Sequence, residues 1–560
     1  MRVDMAKLFE DIKWFLRQKL YIIILSLTAV CSYGYAIVQP SIGIDDTAVG
    51  LYLEDGLEVV MGRWTIFLLN KMFHVSDFAP FMPELVGVIF LMIAATLFNV
   101  LLRRLTDYRA GVLVSTIFAC VFVSNPIISE VFIYYYHDGV GFGYIMTALS
   151  LLAFYDGVNK IGRQKILSFL SSLLCIWVAV GCYESFLILY ILGILVVLFL
   201  WGMTCSKDTG KSGRFGFLSV LGYLIWGAVI AVLCVLLRSL MISLMTQIFG
   251  LHGVLDQVRQ ERRSLMEFLT LFQEGGMDDL IMLAKRFWIV YHVNALVYLP
   301  VTVYEFAVFC FGLESVILAV KKRSLWYPVL FVGMLVAPFL LTLAEMHVTY
   351  YRSCQYLPFY AAAGVWLLCY GLTRWKHYGK WVSGVMVFLS ILIVWNQAEF
   401  MNRNFYMDYK KYETTKEMLC EIAYEIERDY GTDIPVIFTG HYNTPYALTE
   451  DYYVGYGSPQ YRWIVTLTDW IDPHLKEKYY SQWGYSFIGE ANYSMIQWAF
   501  DAFDGTNGQM MNFLKMHGHS FPVVSDLEVI KEAKKIGDQM PSWPAEGSII
   551  QWNGYILVHI

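Results

Sequence analysis

Two adjacent aspartates, Asp45 and Asp46, closely follow the first long apolar segment of the chain. Paired carboxylates at such a position could provide a general base or hold a divalent cation such as Mg²⁺ or Mn²⁺. A structural interpretation is also open, because Asp46 could be the N-cap of the helix that follows. The sequence does not choose between these roles.

Two arginines are candidates for binding phosphate, since a guanidinium can donate two parallel hydrogen bonds to phosphate oxygens. Arg63 precedes Trp64 and an apolar helical pattern. It would face a phosphate, or lie on lipid headgroups with Trp64 in the aromatic belt. Arg352 follows Tyr351 at the predicted outer end of a span. Cations favour the inner end, so a function is the favoured interpretation of Arg352, with Tyr351 as a substrate contact.

Other polar residues interrupt apolar segments, where ionisable groups are costly and seldom idle. His137 and Asp138 end an aromatic run and could form a structural pair or contact a substrate. Glu184 follows Tyr183 and begins an apolar span, where the carboxylate needs Tyr183 or a substrate hydroxyl as a partner. Arg238 lies well inside a span and would snorkel to the interface or line a lipid path.

The composition indicates a membrane protein. Of 560 residues, 57% are hydrophobic and only 16% are charged, which is too little charge to cover the surface of a soluble protein of this size. A net charge of −6 without a basic stripe predicts no nucleic-acid partner. The ten cysteines form no CxxC pair and have no metal-ligand spacing, so neither a disulfide framework nor a cysteine-ligated metal site is expected.

Apolar segments predict about eleven transmembrane helices, each near the ~20 residues needed to cross the bilayer. Basic clusters follow every even-numbered span, and the segment before the first span is basic too. The positive-inside rule therefore predicts a cytoplasmic N-terminus, a first external loop at residues 40–80 and an external C-terminal part. The predicted spans begin near Tyr21, Phe81, Ala110, Asp138, Ile166, Glu184, Phe215, Ala295, Trp326, Tyr356 and Trp381.

Residues 1–398 are predicted to form an all-α polytopic membrane bundle, and residues 399–560 a small external α/β domain. The second part has a helical pattern in Met407–Tyr430 and in Leu527–Ile536. Pro435–Gly440 has the composition of a buried strand, and Ser548–Ile560 contains Asn-Gly at the position of a hairpin turn.

Motifs for binding nucleotides are missing from the sequence, which contains no Walker A motif and no GxGxxG after a strand. The zinc-protease motif HExxH and the hydrolase motif GxSxG are missing too. The predicted cytoplasmic loops are too short to form a nucleotide-binding domain. A donor substrate would therefore have to arrive through the membrane.

Several segments resemble the Gtr-type glucosyltransferases, which modify bacterial surface polysaccharides such as O-antigen. The likeness covers most of the chain and includes residues 44–73 (IDDTAVGLYLEDGLEVVMGRWTIFLLNKMF), Tyr183–Glu184, Arg352 and residues 395–413 (WNQAEFMNRNFYMDYKKYE). The resemblance implies a GT-C-like bundle and a polyprenyl-phosphate sugar, with glucose as the sugar, on the outer leaflet of the bacterial plasma membrane. It also implies an essential acid in the first external loop, which corresponds to Asp45 or Asp46. C-terminal domains differ within the family, which leaves room for an acceptor unlike O-antigen.

The resulting hypothesis is an inverting glycosyltransferase acting on a cell-surface polysaccharide or glycolipid. Asp45 or Asp46 would be the general base, while Arg63 and Arg352 would neutralise the phosphate leaving group. A lipid or polysaccharide transporter is the first alternative, although it would favour charges at the midplane and broken helices. A non-catalytic protein of surface-polysaccharide assembly is the second.

Overall fold

The structure is a computed structural model. It describes residues 5–39, 41–42, 57–73, 81–132, 139–204, 217–250, 281, 284, 302–345, 353–375, 379–440 and 505–560. In chain order the helices before the longest loop are α1 (Met5–Leu16), α2 (Lys19–Val38), α3 (Leu57–Val60), α4 (Trp64–Phe73), α5 (Met82–Leu105), α6 (Val112–Val123), α7 (Ser129–Phe132), α8 (Gly139–Asn159), α9 (Arg163–Val180), α10 (Phe186–Thr204) and α11 (Phe217–Phe249). The later helices are α12 (Thr302–Lys322), α13 (Trp326–Val336), α14 (Phe339–Glu345), α15 (Leu357–Thr373), α16 (Lys380–Tyr430), α17 (Gly508–Met516) and α18 (Leu527–Gly537).

Long apolar helices dominate the part of the chain before residue 400. Seven of the described helices are long and apolar enough to cross a membrane: α2, α5, α8, α9, α10, α11 and α16. The shorter apolar helices α6, α13 and α15 lie at three further predicted positions, and α12 overlaps the predicted eighth span. The prediction of an all-α membrane bundle is therefore confirmed. The number of about eleven spans stays a prediction.

The core of the bundle is formed where α5, α6, α8, α10 and α15 meet. Tyr144 of α8 is fully buried there, and its ring makes edge contacts with Phe122 and Phe186. Its hydroxyl donates to the backbone oxygen of Gln355, just before α15, at 2.8 Å. A buried hydroxyl needs such a partner. This bond fixes the start of α15 beside the start of α10.

The amphipathic helix α1 packs across the opposite end of the bundle, which the charge pattern predicts to be cytoplasmic. Arg104 of α5 is buried there, with its Nε 2.7 Å from Asp11 of α1 and its Nη1 3.5 Å from Asp156 of α8. Lys160 adds a second cation 3.2 Å from Asp156. We call these four residues the Arg104 ion-pair cluster. It ties α1, α5 and α8 together.

The C-terminal region contains a small sheet packed on helices. Strands β1 (Val436–Thr439), β2 (Ile549–Trp552) and β3 (Tyr555–His559) are arranged in the order β1-β3-β2. The β1–β3 pair is parallel and the β2–β3 pair is antiparallel. The sheet shares a buried apolar core with the last turns of α16 and with α17.

Local sequence signals predicted these C-terminal elements correctly. The strand in Pro435–Gly440, the helix beginning at Leu527 and the final hairpin are confirmed. The hairpin turns at Asn553 and Gly554, which have φ of 47° and 87°, as a two-residue turn of this type requires. The predicted domain boundary at residue 399 lies inside α16, which runs unbroken for 51 residues, or about 77 Å. The division at 399 stays a prediction, since residues 441–504 lie outside the described part.

Candidate functional site

The candidate site is built around a tight turn between the short helices α3 and α4. Gly62 has a φ of +86°, a conformation that glycine adopts without steric cost. The amide nitrogen of Arg63 donates to the carbonyl oxygen of Glu58 at 2.7 Å, and that of Gly62 donates to Val59 at 2.9 Å. These bonds close the turn and present Arg63 directly before the first residue of α4.

The turn is docked on the loop between α9 and α10. The backbone nitrogen of Thr65 donates to Gly181 at 2.9 Å, and its hydroxyl donates to Val178 at 2.9 Å. A side chain at Gly181 would overlap Thr65 and Trp64, so this approach requires glycine. Trp64 is buried and contacts Trp177 with ring centroids 4.7 Å apart, rather than facing lipid headgroups.

Two of the residues singled out in the sequence, Arg63 and Tyr183, are in direct contact. The Arg63 guanidinium lies over the Tyr183 ring, 4.8 Å from its centroid, as in a cation–π interaction. The Tyr183 hydroxyl is 3.4 Å from the Ser353 hydroxyl, just before α15. The structure therefore brings three distant segments of the chain together at one end of the bundle.

Glu184 has a partner that sequence reasoning did not name. Its carboxylate Oε2 lies 3.7 Å from Nη2 of Arg238, a residue of α11. The same Arg238 nitrogen donates to the backbone oxygen of Met61 at 2.7 Å. The guanidinium of Arg238 thus reaches the turn of the site, while the interpretation of this residue as one that snorkels or lines a lipid path stays a prediction. One signal was present in the sequence, since an arginine inside an apolar helix needs an acidic partner near the same depth.

We call Arg63, Trp64, Trp177, Tyr183, Glu184 and Arg238 the mouth cluster. Several buried donors in and beside it have no hydrogen-bond partner among the described residues: Arg63 Nε, Trp64 Nε1, Trp177 Nε1 and the hydroxyl of Ser185. Leaving a buried donor without a partner costs about 1–3 kcal/mol. Such a concentration of donors is suited to a ligand that brings oxygen atoms.

Glu58 gives the turn an unusual acid. Burial raises the pKa of Glu58 to about 7, and the neighbouring cations Arg63 and Lys71 offset that rise only in part. Its Oε2 atom is shielded from solvent and has no hydrogen-bond partner within the described ranges. Glu58 therefore titrates near neutral pH while lying one turn away from Arg63.

The remaining predicted site residues lie outside the described part of the chain: Asp45, Asp46, His137, Asp138, Tyr351 and Arg352. The N-cap hypothesis for Asp46 falls there too. Two of their chain neighbours are at the site: Gly139 lies against Ile66 of α4, and Ser353 lies against Tyr183. Within the described ranges, no group of three or more His, Cys, Asp and Glu residues could hold a metal ion.

Comparison with known proteins identifies the family. The family model described as Glucosyl transferase GtrII matches residues 34–370, a range that covers α3 to α14 and most of α15, and thus the whole mouth cluster. Neither the curated proteins nor the solved structures contain a significant match to the chain. The match covers more than half of the sequence, and its range contains most of the apolar helices. The chain therefore belongs to the GtrII glucosyltransferase family and is a membrane glycosyltransferase.

Proposed function

We propose that this glycosyltransferase takes a sugar, with glucose as the first candidate, from a polyprenyl-phosphate donor and transfers it to a cell-surface polysaccharide or glycolipid. The proposed reaction occurs at the external face of the bacterial plasma membrane, with a cytoplasmic N-terminus. Residues 399–560 would then form an external domain. The basic clusters between spans support this orientation, because cations favour cytoplasmic loops.

The observation that carries the proposal is the state of Arg63. Its guanidinium is held over the Tyr183 ring, while its buried Nε has no hydrogen-bond partner among the residues that the structure describes. Stacking fixes the plane of the guanidinium and leaves its edge available for an anion. The indole nitrogens of Trp64 and Trp177 add uncharged donors nearby. A lipid-linked phosphate is an anion that can reach such a place from the bilayer.

The proposed reaction is a single displacement with inversion. The oxygen of an acceptor hydroxyl attacks the anomeric carbon of the sugar, and the bond from that carbon to the phosphate oxygen breaks. Asp45 or Asp46 takes the hydroxyl proton. Both electrons of the broken bond leave with the polyprenyl phosphate, whose growing charge Arg63 and Arg352 stabilise. One well-placed donor of this kind lowers a barrier by about 3 kcal/mol.

The remaining predicted residues would contact the sugars. Tyr183 offers an aromatic surface and a hydroxyl beside Arg63. His137 and Asp138 directly precede Gly139, which lies against Ile66 of α4, and Tyr351 precedes Ser353, which contacts Tyr183. These neighbours support a role of the three residues in holding donor or acceptor hydroxyls. Glu184 is proposed to act in the same region while paired with Arg238.

Replacement of the two aspartates tests the reaction. Asp45→Asn and Asp46→Asn are assayed separately for transfer from polyprenyl-phosphate glucose in detergent. We expect the substitution that removes the base to abolish transfer, and the substitution of the neighbouring aspartate to have a smaller effect. Full activity in both variants would contradict the proposed base. If the pair instead holds a divalent cation, a chelator should abolish wild-type transfer, and added Mg²⁺ or Mn²⁺ should restore it.

The proposed orientation has its own test. A reporter that is active only outside the cytoplasm is fused after Tyr430, the last residue of α16. We expect an external signal. A cytoplasmic signal would contradict the orientation and move the mouth cluster to the wrong face for an external acceptor.

A further inference from the structure

Arg238 lies half-buried inside a long apolar helix, which is an unusual position for a cation. It belongs to α11, a helix of 33 residues that is apolar on all sides. A cation at the centre of a membrane helix costs about 3 kcal/mol even by the lower scales. The side chain is 18% exposed, and it meets that cost with the Met61 carbonyl at 2.7 Å and the Glu184 carboxylate at 3.7 Å.

The contacts of Arg238 with Met61 and with Glu184 join it to two different segments of the chain. Met61 lies in the turn between α3 and α4, directly before Gly62 and Arg63. Glu184 lies in the loop between α9 and α10, directly after Tyr183. One guanidinium nitrogen, Nη2, therefore touches both the segment that carries Arg63 and the segment that carries the ring under Arg63.

Gly62 allows this arrangement. The Arg238 guanidinium packs so closely on Gly62 that a β-carbon there would overlap it. The positive φ of Gly62 separately disfavours any other residue. The close packing of Arg238 and the positive φ thus both favour glycine at position 62, where Arg238 approaches the turn.

We infer that Arg238 is a positioning residue that sets Arg63 over Tyr183 by joining the Met61–Arg63 turn to the Tyr183–Glu184 loop. Its consequence for transfer rests on the proposed role of Arg63 toward the donor phosphate. The joining itself does not depend on that role. Without Arg238 the turn keeps its own backbone bonds but loses its tie to the loop, so Arg63 samples orientations away from the ring.

A double-mutant cycle tests whether Arg238 acts through Arg63. We expect Arg238→Ala to raise the donor KM by about tenfold, equivalent to about 1.4 kcal/mol, with the acceptor KM changed less than about twofold. In the Arg63→Ala background, Arg238→Ala should then add less than about twofold. Effects that multiply fully would overturn the inference, because Arg238 would then act on the donor independently of Arg63.

Conservative and control variants complete the kinetic test. Arg238→Lys keeps one cation that can donate to Met61, and it should recover at least half of the lost donor affinity. Gly62→Ala, which keeps Arg238 but blocks its approach, should reproduce the donor-KM defect of Arg238→Ala. Arg403→Ala is the matched control, since Arg403 is half exposed and its described ion pair is with Glu399 one turn away on α16. A normal donor KM in Gly62→Ala, or no recovery in Arg238→Lys, would contradict the inference.

Hydrogen exchange tests the joining separately from the reaction. In detergent, the amides of residues 61–65 should exchange about tenfold faster in Arg238→Ala than in the wild type, and should be unchanged in Arg403→Ala. Unchanged exchange at the turn would overturn the inference even if transfer is impaired. If the wild type fails to use a polyprenyl-phosphate donor, the proposed function fails, whereas faster exchange at the turn would still support the role of Arg238.

Discussion

Each end of the bundle holds an arginine near carboxylates, buried in the case of Arg104 and half-buried in the case of Arg63, but the two are used differently. In the Arg104 ion-pair cluster, Nε and Nη1 of Arg104 each face an aspartate, and Nη2 has no hydrogen-bond partner in the described part of the chain. In the mouth cluster, Arg63 contacts the face of Tyr183, and no described residue is a hydrogen-bond partner of its Nε. An arginine that faces two acids is neutralised within the protein and stabilises the fold. One that faces an aromatic ring keeps its charge for a ligand.

The largest effect on stability is expected at the neutralised end. Arg104→Ala leaves Asp11 and Asp156 buried without their main cation, which should destabilise the protein by about 3–5 kcal/mol. The yield of monodisperse protein in detergent and its thermal transition measure this effect. The fraction that folds should transfer sugar at close to the wild-type specific rate. A stable Arg104→Ala protein with impaired transfer would break the comparison.

The opposite separation is expected for Arg63. Arg63→Ala should lower kcat/KM for sugar transfer by about a hundredfold or more, because the proposed hydrogen-bond donor to the phosphate leaving group is lost. Its thermal transition should stay near that of the wild type, since the described contact of Arg63 is one cation–π interaction worth about 1–2 kcal/mol. Arg63→Lys keeps the charge and should recover only part of the rate, because an ammonium lacks the planar fork.

Glu58 sharpens the comparison through pH. Its pKa is raised to about 7 in the folded protein, against about 4.5 when exposed, so the folded state prefers the protonated carboxyl. The stability that this preference provides is present below pH 4.5 and is lost as the pH rises through 7. Glu58→Gln cannot ionise, so at pH 8 its free energy of unfolding should exceed that of the wild type by up to about 3 kcal/mol. It should therefore unfold at a higher temperature than the wild type at that pH.

The pH series supplies the internal control for Glu58→Gln. The difference in thermal transition between variant and wild type should be largest above pH 7, shrink as the pH falls below 7, and vanish only below about pH 4.5, where Glu58 is neutral in both the folded and the unfolded state. A difference that is independent of pH would show that the substitution acts through packing rather than through the charge of Glu58.

The smallest effect is expected for Lys160. This lysine is partly exposed and pairs with Asp156, which Arg104 already faces. Lys160→Ala should cost about 1 kcal/mol or less, as measured for ion pairs near a surface. A loss as large as that of Arg104→Ala would mean that the cluster needs both cations. In that case Arg104 alone would not be the neutralising centre.

The sequence allowed the helices and the C-terminal hairpin to be predicted because their signals are local. Apolar segments of about 20 residues specify spans, and Asn553-Gly554 specifies a tight turn. The boundary at residue 399 was placed at a change in composition. Composition changes when a chain leaves the membrane, but α16 continues through that point because a polar segment can extend a helix.

The site was only partly predictable, since its contacts join segments far apart in the chain. Arg63 and Tyr183 were each singled out, yet their stacking depends on how α4 docks on the loop after α9. The contact of Arg238 with the turn was not predicted, because a helix's own sequence does not show which neighbour lies beside each of its turns. The role of Asp45 and Asp46 stays a prediction.

The central claim, that Arg63 in the mouth cluster binds the donor phosphate, is tested most directly by binding of a short-chain polyprenyl phosphate. The affinity is measured for the purified wild type, Arg63→Ala and the control Arg403→Ala in the same detergent. The account predicts that Arg63→Ala binds at least about tenfold more weakly, a loss of about 1.4 kcal/mol, while Arg403→Ala binds like the wild type. Equal affinity in all three proteins would contradict the claim.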